Sequence, residues 1–89
     1  MNQEIELIKA INKKILADVK NVCDEMKQDN CDFYHGKHLA YYEVLLDIQS
    51  MIDEWTPVDT DEEKIEAFKQ YGFDIDVDAY LKGEFKQLQ

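Results

Sequence analysis

Residues 33–55 read FYHGKHLAYYEVLLDIQSMIDEW. Tyr34, His38, Tyr41, Leu45, Ile48, Ile52 and Trp55 recur here in alternating steps of four and three. With about 3.6 residues per turn, that spacing keeps one side of a helix apolar over its whole length. The stretch predicts a helix over 33–55 with these seven residues as its seam. Thr56-Pro57 ends it, because a residue preceding proline is pushed out of the helical region.

Upstream, residues 3–28 predict an equally long helix with no internal Gly or Pro. Ile5, Val19 and Met26 fall on one heptad position and Ile8, Ile15 and Val22 on another, with Ile11 and Leu16 widening the stripe. Asn12 interrupts the first set. A polar residue there either fixes register or partner number at some cost in stability, or lies at a solvated edge. Asp29-Asn30-Cys31-Asp32 forms a short polar break, with Asp32 the expected N-cap of the second helix. Two helices of about 35 Å joined this tightly make an antiparallel hairpin. A hairpin cannot bury a wide stripe alone, so either the last third of the chain or a second copy is expected to cover it.

Thr60-Asp61-Glu62-Glu63 matches a capping box, with Thr60 as cap and Glu63 three residues on. A third helix over 61–71 follows, burying Ile65 and Phe68 and ending at Gly72. Phe73 to Asp78 alternates apolar and acidic residues, yet no second strand exists to pair with it. The expectation is a short extended piece, then a final helix over 77–88 capped by Asp76 or Asp74, with Val77, Leu81, Phe85 and Leu88 on its apolar side and Gly83 interrupting it. The fold class is therefore all-α: one domain over residues 1–89, a long hairpin with two short C-terminal helices packed over it.

The 89 residues carry a net charge of −10, placed unevenly. Residues 1–42 hold seven acids and six lysines, whereas residues 43–89 hold thirteen acids and four lysines. There is no arginine. A surface this acidic repels phosphates, which excludes nucleic acid as a direct ligand and an anionic membrane as a docking plane. The lack of arginine removes bidentate phosphate clamps. The N-terminal residues show neither a basic n-region nor an apolar core segment, so the expected location is the cytoplasm, with Cys23 and Cys31 as free thiols.

Four soft-metal ligands, Cys23, Cys31, His35 and His38, fall close together. Their spacing, C-x7-C-x3-H-x2-H, lacks the tight knuckle of zinc sites, and no metal or other cofactor is expected. Cys23 reads instead as a small buried hydrophobe, and His38 as a packed seam residue. Asp74, Asp76 and Asp78 begin like a calcium loop, but Ala79 replaces the glycine at its sixth position and Phe85 the glutamate at its twelfth. Ser50, the only serine, has no nucleophile motif around it, so no enzymatic activity is expected. Tyr34, Tyr42 and Tyr80 are the tyrosines expected at the surface.

The acids remain. Asp53, Glu54, Asp59, Asp61, Glu62, Glu63 and Glu66 cluster around the end of the second helix and the start of the third, and Asp74, Asp76 and Asp78 follow. Helical acids three or four apart stand about 5–6 Å from one another, a density comparable to that of DNA phosphates. These ten residues are the expected contact set for a basic, nucleic-acid-binding protein. The bland alternative is that they cap helices and confer solubility, in which case the two long helices serve a homodimeric structural module.

Gly36 to Ile48 follows a G-K-x-x-A-Y-x-x-V-L-x-x-I pattern after a lysine- and glutamate-rich helix. In this it resembles the second helix of small accessory proteins from phages and mobile elements of low-GC Gram-positive bacteria. The resemblance brings no catalytic or binding residue with it. It implies a setting in which small acidic proteins inhibit host defence, among them anti-CRISPR and anti-restriction proteins, several of which mimic DNA. The partner implied is a host-defence nuclease.

Overall fold

A computed structural model describes residues 2–88. Four helices follow in order: α1 (Asn2–Gln28), α2 (Asp32–Trp55), α3 (Asp61–Gln70) and α4 (Val77–Leu81). No strand occurs among the described residues. The two long helices pack against each other, and the short C-terminal helices lie against α2. The architecture is the all-α hairpin expected from the seam. Its 42 Å long axis matches the length of α1 at about 1.5 Å per residue.

Cys31, in extended conformation, is the N-cap of α2, and its side chain makes no capping bond. Asp32 is not the cap expected from the sequence. It is the first helical residue, where its carboxylate still faces the positive end of the helix dipole. The α3 cap is built as expected: the Glu63 amide donates to Thr60 Oγ1 at 3.2 Å, and that hydroxyl donates to Glu63 Oε1 at 2.9 Å. Gly72, at φ 75°, turns the chain out of α3. It also touches α1, since a Cβ placed there would lie 3.0 Å from both Cα and carbonyl oxygen of Lys9.

The final helix is shorter than the expected 77–88. It stops at Leu81, and Gly83 at φ 90° reverses the chain. The amides of Gly83 and Glu84 close the helix end on the carbonyls of Tyr80 and Ala79. The tail then folds back: Asp76 N donates to Lys86 O at 2.9 Å, and Leu88 N donates to Asp74 Oδ1 at 3.0 Å. The apolar members of the alternating run, Phe73, Ile75 and Val77, are all buried. Their period of two serves an extended strap across the hairpin, not a sheet.

The core forms where that strap meets the hairpin, around Val19, Cys23, Leu45, Phe68, Phe73, Ile75 and Tyr80. Tyr80 corrects an expectation: it is fully buried, with its ring 4.4 Å from that of His38. His38 Nε2 lies 2.6 Å from the Tyr80 carbonyl, and the Tyr80 hydroxyl donates to the His38 carbonyl at 3.1 Å. A carbonyl only accepts, so Nε2 carries the imidazole proton. Asn12 is buried too, and its amide donates to the Tyr71 carbonyl at 2.7 Å. Of the two readings of Asn12, the structure overturns the solvated edge. Asn12 ties the end of α3 to α1. Trp55 departs from its expected place on the seam and is 79% exposed, one residue before the helix-ending Thr56. Ile65 is only half-buried, and Ile8 and Ile11 are exposed.

Candidate interaction surface

The ten acids singled out in the sequence do not share one role. Four are engaged within the fold. Asp53 forms an ion pair with Lys64 at 3.3 Å. Glu63 belongs to the α3 cap, Asp76 accepts from the Ala79 amide as the α4 cap, and Asp74 holds the tail through Leu88. The other six, Glu54, Asp59, Asp61, Glu62, Glu66 and Asp78, are exposed. Glu54 lies at the end of α2 and Asp59 in the loop before α3, while the other four lie on or beside α3. Asp61 and Asp78 border a shallow groove between α3 and the strap, where Lys64 and Asp76 also sit. Glu66 borders a second depression on the other side of α3, with Glu63, Lys69 and Thr56. Glu62 precedes Glu66 by one turn. The acids thus wrap α3 on several sides and do not form one flat ridge.

Cys23 and both histidines are engaged elsewhere. Cys23 lies in the core, where burial pushes its thiol above the usual range. His38 is bonded to Tyr80, and His35 Nε2 pairs with Asn30 Oδ1. Among the described residues, no three His, Cys, Asp or Glu side chains converge on a point where a metal ion fits. Asp74 and Asp76 lie in the strap, where their carboxylates already accept backbone amides, and Asp78 lies in α4.

A second surface went unread in the sequence. Leu7, Ile8 and Ile11 of α1 are exposed, and so are Val44, Met51 and Trp55 of α2. Ile8, Met51 and Trp55 line an apolar groove of about 340 Å³ whose floor includes Asn12, Ile52 and Tyr71. The signal was present: Val44, Ile48, Met51 and Trp55 recur in steps of four, three and four. Ile48 and Trp55 already belong to the seam, so Val44 and Met51 widen it into a stripe broader than one neighbouring helix covers.

No protein-family model matches the chain, and neither a curated protein nor a solved structure shows significant similarity to it. Among the described residues, no helix is long and apolar enough to cross a membrane.

Proposed function

We propose that this chain is an inhibitor that acts by binding, without chemistry of its own. Its acidic surface around α3 occupies the basic nucleic-acid groove of a host-defence nuclease and excludes the natural substrate. The observation that carries this reading is the exposure of Glu54, Asp59, Asp61, Glu62, Glu66 and Asp78, six acids in the half of the chain where lysines are scarce. Glu62 and Glu66 stand one turn apart, the spacing at which helical carboxylates approximate neighbouring phosphates. Capping, ion pairing and the tail contact account for Asp53, Glu63, Asp74 and Asp76, and Asp61, Glu62 and Asp78 suit the helix dipole in first turns; Glu54, Asp59 and Glu66 have no such role. Complementary charge would speed association, and a few buried contacts would set the lifetime of the complex.

The test is a pull-down from bacterial lysate across a salt series, read by mass spectrometry. One bait is the wild-type chain, and the other carries Asp59→Asn, Glu62→Gln and Glu66→Gln, which spare both caps. The reading expects a nucleic-acid enzyme on the wild-type bait alone, released as salt rises. Equal recovery on both baits, or none on either, sinks it.

A further inference from the structure

We infer that the groove between α1 and the C-terminal tail holds an extended acidic peptide of a partner protein, with lysines on one wall and an open backbone edge on the other. The first wall is α1. Lys9, Lys13 and Lys20 follow one another by four and seven residues, which sets them on one face of the helix, and Lys69 joins them from the end of α3. Four of the ten lysines thus line one groove of about 520 Å³, on a chain with twenty acids. The acid that lines it with them, Asp74, is occupied by the Leu88 amide. Lys9 meets Glu6 only at 4.0 Å, and Lys13, Lys20 and Lys69 have no ion pair among the described residues. Lysines gathered without counter-charge on so acidic a chain mark a place for an anion from outside.

The second wall is the tail, and it selects a peptide among anions. The Lys86 carbonyl accepts from the Asp76 amide, and the Leu88 amide donates to the Asp74 carboxylate, so every second residue of the tail turns its backbone to the strap. In an extended chain the residues between them direct their amides and carbonyls to the opposite edge. Those residues are Phe85 and Gln87, which line the groove and make no backbone–backbone hydrogen bond among the described residues. An open edge of this kind is completed by an added strand. The phosphates of a nucleic acid have no alternating donors and acceptors to pair with it. Lys9 to Lys20 covers about 16 Å of helix, the length of about five extended residues. Carboxylates of such a peptide reach the lysines, and an apolar residue at its centre rests on Leu16 and Phe85.

The test is fluorescence anisotropy of a labelled, end-capped Glu-Glu-Val-Glu-Glu peptide with the full chain. Salt is held at ~150 mM, where charges more than about 8 Å away are largely screened. A dissociation constant of about 100 µM is expected. Lys13→Gln combined with Lys20→Gln should weaken binding about tenfold. Lys14→Gln combined with Lys27→Gln removes the same charge away from the groove and should leave binding unchanged. All four lysines are exposed, so circular dichroism should be the same in both variants. A peptide N-methylated at alternate residues keeps its charge, loses its backbone donors and should bind about tenfold more weakly. Exchange of the Phe85 and Gln87 amides with solvent, followed by NMR, should slow when the unmethylated peptide binds. No binding at ~1 mM peptide overturns the inference, as does an equal loss in the two double variants. Undiminished affinity of the methylated peptide, or tighter binding of a thymidine pentanucleotide, overturns it as well, because the groove would then read charge alone.

Discussion

Tyr80 and His38 hold one another through two hydrogen bonds, and each bond ends on the other residue's backbone carbonyl. Replacing Tyr80 with Phe keeps the ring and removes the hydroxyl donor, which should cost about 1 kcal/mol in urea unfolding. His38→Ala removes a donor and opens a cavity, and should cost about 3 kcal/mol. The same residues set an alkaline limit on stability. Burial, and after it the neighbouring Cys23 and Tyr41, push the Tyr80 hydroxyl far above its ordinary range, and burial raises the Cys23 thiol. Both groups keep their protons in the folded chain at pH values where the unfolded chain releases them. Their contribution is complete below the unfolded pKa values, about 8.5 for a thiol and about 10 for tyrosine, and is lost as pH rises above them. Melting temperature should therefore fall above pH ~9, less steeply in the Cys23→Ala, Tyr80→Phe double variant. A slope identical in both proteins would exclude these two groups as its source.

Among the elements, α3 is the one held by identifiable single points. Its start depends on Thr60, and Thr60→Ala should cost about 1 kcal/mol. Its end rests on Gly72, where an added Cβ meets the backbone of Lys9 in a left-handed conformation. Gly72→Ala should therefore cost at least ~2 kcal/mol, more than the cap, because both the dihedral strain and the contact with α1 act against it. Comparison of urea midpoints at constant slope tests that order. The elements also differ in how plainly the sequence announced them. The seam from Tyr34 to Ile52, the α3 box and the Gly72 stop follow from local pattern, and local pattern sufficed. The tail did not, because Leu81, Phe85 and Leu88 have helical spacing but Gly83 turns the chain before the helix can use it. Tyr80 was misplaced for a related reason: its burial depends on His38, distant in sequence and adjacent only after folding. Among the acids, the caps Glu63 and Asp76 were legible from local pattern, whereas Asp53 and Asp74 found partners that only the tertiary structure brings near.

Across the whole molecule, two kinds of surface meet on a chain of charge −10. Acid-driven binding of a basic partner weakens as ions screen it. Raising salt from about 50 to about 500 mM should thus release an acid-bound partner, measured by pull-down. A partner that stays bound at high salt would mean that the apolar face, not the acids, holds it.

The two thiols differ in one respect that makes the molecule its own gauge. Cys23 is sealed beneath the strap and Cys31 is half-buried at the turn. A thiol reagent should modify Cys31 promptly and Cys23 only when residues 73–88 lift away. The ratio of the two rates then measures how often that lifting happens, and so gives the free energy of a partial opening that leaves the hairpin intact.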